Sequence, residues 1–356
     1  MNSLRNERQE EFANVWLNHG RFGILNIAPR MGKCKIAINV FNSINPKSIL
    51  IAYPDNKIRK SWEDEFVLWN YNPENVTYTT HLSLKKYVDE SFDIIVLDEC
   101  HLLSEAQIAV CTQLFKNNEY ILGLTGTLSK QTERVLREDL SLCVIATYTI
   151  EQAIKEEVIV DYEIVVVSVP LDNVVNLYKG RTEKQKFDSL TWVINKLEDE
   201  GKNTKFMRFA RMRIFQKSVA KLNKTKQLLS KYPDERILVF CGLTDIADSL
   251  GIPSHHSKKD DSQSFDDFLN GEGNHMAVVR IGNTGLTYKP LNRVIINYFD
   301  SNSENLSQKI MRCTSMEYDN PGKIAKIYII STNESVELKW LAKALSMFNK
   351  SKITYI

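Results

Sequence analysis

"FGILNIAPRMGKCKIAINVFNSI", Phe22 to Ile44, changes its pattern twice. Phe22–Ala28 is an apolar run of strand length, Pro29–Gly32 is a short loop, and Cys34–Ile44 has the apolar spacing of a helix packed on one side. A buried strand that turns tightly into a helix through Gly32-Lys33 is the layout of a phosphate-binding loop. In such a loop backbone N–H groups and the lysine surround phosphates, and a following Ser/Thr hydroxyl holds Mg²⁺. Two parts differ here. Cys34 stands in the hydroxyl position, and Arg30 stands where such loops most often have another glycine. Taken alone, the Gly-Lys pair fits an ordinary strand-to-helix turn with an exposed lysine equally well, so the surroundings have to decide.

Outward from this stretch the same alternation continues. "KSILIAY", "FDIIVLDE" and "YILGLTGT" are further apolar runs separated by helical patterns such as "IRKSWEDEFVLWN". Continuous Ile/Val/Leu runs belong to strands buried on both faces, as in a parallel sheet covered by helices. A second series starts after about Asp161 with "EIVVVSVPL" and resumes with "RILVFCG", "HMAVVRIG", "NRVIINYFD" and "AKIYIIST". The chain has 356 residues, more than one core usually reaches. Two consecutive α/β domains are therefore expected, 1–160 and 161–356, with a helical excursion over about 172–233 where no strand pattern occurs.

Bulk composition excludes little. With 46 Lys+Arg against 44 Asp+Glu, net charge neither requires nor forbids a polyanionic partner. Six cysteines are scattered without CxxC pairs, against a zinc site or a disulfide scaffold and in keeping with a reducing compartment. "MNSLRNERQEEF" lacks the apolar run of a signal peptide, and no stretch is long enough to span a bilayer. A cytoplasmic location with no membrane partner is expected.

"VLDECH", Val96–His101, ends another buried strand with adjacent carboxylates. As isolated groups they are two solvated acids at a strand end. Beside a phosphate loop they divide the work of a nucleotide hydrolase: Asp98 holds Mg²⁺ through water, and Glu99 orients and deprotonates the attacking water.

With these residues in place the chain resembles superfamily 2 helicases and translocases from about Leu4 to Thr332. "LRNERQ" is similar to the amino-terminal adenine-recognition segment, "APRMGKC" to motif I and "LIAYPDNKIRKSWEDEF" to motif Ia with its Trp-x-x-Glu. "TTHLSL" resembles motif Ib, "DECH" a DExH box and "LTGT" motif III. "ILVFCG", "VVRIGNTGLTYKPLNRVII" and "SQKIMR" resemble motifs IV, V and VI. The Trp-x-x-Glu and Gly-Leu-Thr details resemble phage repair helicases and Swi/Snf-type double-strand translocases.

The resemblance implies two tandem RecA-like domains with ATP and Mg²⁺ in the cleft between them. It places Gln9 on the base, Arg30, Met31, Gly32, Lys33, Cys34, Asp98 and Gly285 around the nucleotide, and Glu99, Gln308 and Arg312 at the reaction. His101, Thr125 and Thr127 become coupling residues, and Pro54, Thr80, His81, Thr244 and Thr284 contacts to nucleic acid. Motif VI departs from the family pattern at Lys309 and Ser315. Arg312 is the clear arginine finger, and Arg280 or Arg293 are alternatives for a second.

From Gly201 to Tyr232 there is no acidic residue. Arg213, Lys217, Lys221 and Lys224 follow helical spacing and are expected to form one face, with Phe206, Phe209, Ile214, Phe215 and Leu222 available for packing. The face is either solvated or in contact with backbone phosphates, and its one-sided sign favours the phosphates. His255-His256 fit a phosphate contact or a plain surface loop, and Trp62 is expected to pack its helix. The functional expectation is a monomeric, ATP-dependent nucleic-acid translocase or helicase acting on DNA in replication, recombination or repair. An RNA helicase and a catalytically weak nucleic-acid-binding module are the alternatives.

Overall fold

The computed structural model describes residues 3–126, 128–175, 177–259, 262–279, 288–289, 291–301, 303–315, 322–346 and 348–356. These form two compact units, one running to Ile159 and one beginning at Val160.

Unit 1 contains α1 (Ser3–Asn18), β1 (Phe22–Ile27), α2 (Lys33–Ile44), β2 (Ile49–Tyr53), α3 (Lys57–Leu68), β3 (Val76–Thr80) and β4 (Ile94–Asp98). It continues with α4 (Glu105–Leu114), β5 (Ile121–Thr125), α5 (Lys130–Leu140), β6 (Val144–Tyr148) and α6 (Ile150–Lys155). Its strands pair in the order β3-β2-β4-β5-β1-β6, all parallel. Every residue of β2, β4 and β5 is buried, which is why these segments are continuous apolar runs: helices cover both faces.

Register then builds the site. Asp98 pairs with Leu124, and Asn26 pairs with Thr125. The carboxyl ends of β1, β4 and β5 therefore lie side by side, and the loops that leave them share one edge, where open α/β sheets bind ligands. Local chemistry fixes the helices that follow. Gly32 caps α2 at φ 80°, a left-handed conformation that suits glycine. Ser104 and Thr149 form capping boxes with Gln107 and Gln152.

Unit 2 contains β7 (Asp161–Val169), α7 (Glu183–Asp199), α8 (Lys205–Lys217), α9 (Val219–Lys231), β8 (Ile237–Cys241), α10 (Thr244–Asp248) and β9 (Ser254–His255). After these come α11 (Ser262–Leu269), β10 (His275–Val279), β11 (Arg293–Ile296), α12 (Ser303–Ile310), β12 (Ile324–Thr332), α13 (Ser335–Leu345) and β13 (Ile353–Tyr355). The second parallel sheet has the order β13-β7-β12-β11-β8-β10-β9. Helices α7, α8 and α9 occupy the connection between β7 and β8.

That connection corrects one expectation. Arg213, Lys217, Lys221 and Lys224 do not share one helix: Ser218, at φ −54° and ψ 120°, ends α8 and caps α9 by accepting from the Lys221 N–H. Arg213 and Lys217 remain on α8, and Lys221 and Lys224 belong to α9. Among the described residues no helix is long and apolar enough to cross a membrane.

Candidate active site

Lys33 and Glu99 meet at the shared edge of unit 1, with Nζ 3.0 Å from Oε1 and both side chains largely buried. Burial alone would lower the lysine's pKa; the charges of Glu99 and Asp98 overcome it and hold the ammonium above its ordinary range. Burial would also raise Glu99, but Lys33 and then His101 hold it below the usual carboxylate range. Asp98 goes the other way, pushed up to about 6 by burial and by the like charge of Glu99. Glu99 is thus the carboxylate that carries charge most readily. Its backbone sits at φ 49°, a conformation that costs a non-glycine residue about 1–3 kcal/mol and tends to persist where function requires it.

Around this pair the elements fit closely. Gly126 follows β5, and a Cβ there would lie 3.1 Å from Lys33 Nζ and 3.1 Å from the Ile27 carbonyl. A side chain at Gly126 would crowd the lysine. His101, on the single turn after Glu99, bonds through Nδ1 to Thr125 Oγ1 at 2.8 Å, linking the ends of β4 and β5. Trp62 is fully buried, and its indole N–H donates to Asp98 Oδ2 at 3.0 Å. The expected packing residue therefore also orients the second carboxylate. Glu65, one turn on, accepts from Trp69 Nε1 at 2.8 Å.

The loop itself is held from α1. Gln9 is buried and donates through Nε2 to the Met31 carbonyl at 2.7 Å; Arg5 donates to the Arg30 carbonyl. Arg30 adopts φ 71°, and a Cβ on Gly32 would fall 2.5 Å from Gln9 Nε2. Cys34 lies half-buried at the start of α2, its thiol pushed well above the ordinary range by burial and by the carboxylates of Asp98 and Glu65. A protonated thiol is a poor ligand for a hard cation.

The site suits a nucleotide with Mg²⁺ on its own geometry. Gln9 Oε1 and Glu99 Oε2 are buried and accept no hydrogen bond among the described residues: one can receive a donor at the α1 side, the other a water beside the carboxylate pair. The α2 N-terminus has no side-chain cap, so its N–H groups are open to phosphate oxygens. Asp98 is the carboxylate at this edge that could offer an oxygen to a cation.

Other expected residues fall elsewhere. Pro54 follows β2 and is half-buried, as is Thr80 at the end of β3, where its hydroxyl meets Ser83 Oγ at 3.2 Å. His81 is corrected: it is buried, with Nε2 3.1 Å from the Asp98 carbonyl and its pKa pushed down to about 4 by burial. It faces inward and is neutral, so it braces β4 and cannot reach a phosphate. In unit 2 Thr244 opens α10, Gln308 is half-buried on α12, and Arg312 is buried on the single turn that follows, 5.9 Å over the Tyr288 ring. Lys221 is corrected as well. It is fully buried and ion-paired with Glu337 of α13, while Lys224 is half-buried and donates to Gln227 at 2.9 Å. Of the expected basic face, Arg213 and Lys217 are exposed. Thr127, Thr284 and Gly285, and the alternative finger Arg280, lie outside the described residues. Arg293 is engaged by Glu235 at 2.7 Å.

Sequence reading missed Arg5, Gly126 and the bond from Trp62 to Asp98. The signals were present: "LTGT" places a glycine at the exit of a buried strand, and "WEDE" sets an indole on the helix after motif Ia.

The fold and this site define two parallel-sheet α/β domains of the tandem RecA-like kind found in helicases. Residues 220–316 match the helicase conserved C-terminal domain. Over 271 residues, 67% of this chain, the sequence is 22% identical to the DNA 3'-5' translocase XPB2 of Sulfurisphaera tokodaii, and the chain spans 60% of that relative's length. The Pyrococcus furiosus Hef helicase domain superposes with a TM-score of 0.53 at 13% identity, covering 96% of this chain and 99% of Hef's. An S. cerevisiae Dbp5 variant bound to RNA and ADP BeF3 superposes with a TM-score of 0.62 at 11% identity, covering 98% and 88% of the two chains. The matched domain and the translocase relative support a helicase of superfamily 2.

Proposed function

We propose that this protein is a nucleic-acid-stimulated ATPase of the helicase and translocase type, acting on DNA, with its motor built from residues 1–160 and 161–356. The observation that carries the proposal is the 3.0 Å pair of Lys33 and Glu99, which brings a phosphate-loop lysine and a DExH glutamate together at one sheet edge. An ammonium has three donors, and Glu99 takes one of them. The others, with the α2 N–H groups, would bind phosphate oxygens. Glu99, held ionised, would take a proton from water through Oε2. Asp98, fixed by Trp62, would hold Mg²⁺, which when bound neutralises charge on the phosphates.

The bond from His101 to Thr125 would transmit the state of the Glu99 turn to β5. Arg312 is assigned to the charge that develops on the transferred phosphoryl group, and hydrolysis is coupled to movement of the two units along the strand. The proposal includes the DExH form of Asp98–His101, kinship with phage repair helicases, and a monomer as the working species. DNA is preferred to RNA because the 22% identical relative is a DNA translocase. ATP turnover with no nucleic acid, duplex DNA, single-stranded DNA and RNA is the test. Stimulation by DNA alone is expected; stimulation by RNA alone replaces it with an RNA helicase, and no turnover with any of them sinks the motor.

A further inference from the structure

Phe206 and Phe209, expected to pack, are 79% and 49% exposed. The inner side of α8 is already satisfied: Ile214 and Phe215 are buried against Phe187 and Leu190 of α7, with Met207 and Ala210 packed beside them. Phe206, Phe209, Arg213 and Lys217 are three, four and four residues apart, so they line one stripe on the opposite, exposed side. No acidic residue occurs in α8. Arg208 is tied to Glu198 at 2.7 Å and Arg211 to Thr191 at 3.2 Å, whereas Lys205, Arg213 and Lys217 project into solvent.

Two rings followed by two cations along one stripe of a helix that lacks acids complement a polyanion that has open aromatic faces. Bases within a duplex are stacked on one another and offer no free face; those of a single strand do. From Phe206 to Lys217 the helix rises about 16 Å, room for about five nucleotides at a stacked spacing of about 3.4 Å. We propose that the outer face of α8 binds single-stranded DNA, with Phe206 and Phe209 stacked on bases and Arg213 and Lys217 on phosphates. The choice of DNA rests on the function proposed above.

Fluorescence anisotropy with the full chain tests this, using a labelled oligo-dT strand, the matching duplex and an oligo-U RNA. The Phe206→Ala/Phe209→Ala protein should bind oligo-dT at least tenfold more weakly, while Phe206→Trp/Phe209→Trp keeps wild-type binding and duplex affinity hardly changes. Arg213→Ala/Lys217→Ala should lower the slope of log affinity against log salt by about 1.4. Equal losses on duplex, no loss on oligo-dT, or tighter binding of oligo-U would overturn the proposal. So would a drop in sedimentation coefficient on alanine substitution, which would make the stripe a self-association face. ATP turnover, read in parallel, separates the two proposals. A chain that binds oligo-dT through the two rings but hydrolyses no ATP loses the motor and keeps the surface; DNA-stimulated turnover with binding indifferent to the rings does the reverse.

Discussion

Lys221→Met should destabilise unit 2 by about 3 kcal/mol without weakening nucleic-acid binding. Lys221 and Glu337 are both fully buried and ion-paired, and Phe299 and Phe215 lie 5.3 and 5.9 Å from the ammonium. Methionine fills much of the lysine stem's volume but leaves Glu337 as a buried charge without its cation. Breaking such a pair from one side costs about 3–5 kcal/mol. The lower end applies here because Glu337 Oε2 still accepts from the Thr332 N–H at 2.6 Å and its hydroxyl at 2.7 Å. Adding Glu337→Gln removes the orphaned charge and keeps an oxygen for Thr332. The double variant should therefore recover part of the loss and stand about 1–2 kcal/mol below wild type, the cost of an amide N–H left without an acceptor. Hydrogen exchange in segments 219–231 and 324–345 reads these changes locally, as a chain of two units need not unfold in one step. Unchanged protection in Lys221→Met together with a several-fold loss of DNA affinity would refute the reasoning and return Lys221 to the surface.

Lys33→Ala should abolish ATP turnover by weakening nucleotide binding, whereas Glu99→Gln should bind a fluorescent ATP analogue normally and fail to turn it over; comparing binding titrations with steady-state rates checks both. Trp62→Phe removes the donor to Asp98 Oδ2, a bond to a charged group worth about 1.5–3 kcal/mol. It should raise the Mg²⁺ concentration for half-maximal turnover by roughly tenfold while leaving KM for ATP near wild type. Cys34→Ser restores a hydroxyl beside Asp98 and should lower the Mg²⁺ requirement, with the wild type comparatively better in softer Mn²⁺; superimposable metal titrations would show that position 34 does not face the cation.

The strands legible in the sequence are those in the middle of the sheets. β2, β4, β5, β8 and β11 are buried along their whole length, so each had to be a continuous apolar run. The strands without a clear signal are β3, β6, β9 and β13, and among the described residues these are the four sheet edges. An edge strand is covered on fewer sides, and "VTYTT", "VIATY" and "ITY" mix Thr and Tyr with apolar residues in windows of three to five. Pairing decides such segments, and pairing is a long-range property that a local window does not contain.

Charge was harder to read than hydrophobicity, and the reason is physical. An apolar run has one favourable destination, but a lysine at a helical position can either face solvent or enter the core with a partner. What distinguishes Lys221 from Lys217 is Glu337, more than a hundred residues away, and the break at Ser218 that turns α9 onto the sheet. The same holds in reverse for Phe206 and Phe209, whose helical spacing predicts packing but whose side of α8 is exposed. At the candidate active site the residue types were legible because phosphate chemistry restricts them: Lys33, Asp98 and Glu99 each follow a recognisable strand or loop. The supports were not, since a tryptophan that donates to Asp98 and one that only fills space look alike until α3 is laid over β4. Sequence motifs therefore locate the groups that would meet a substrate, while the groups that set their pKa and orientation emerge only from packing.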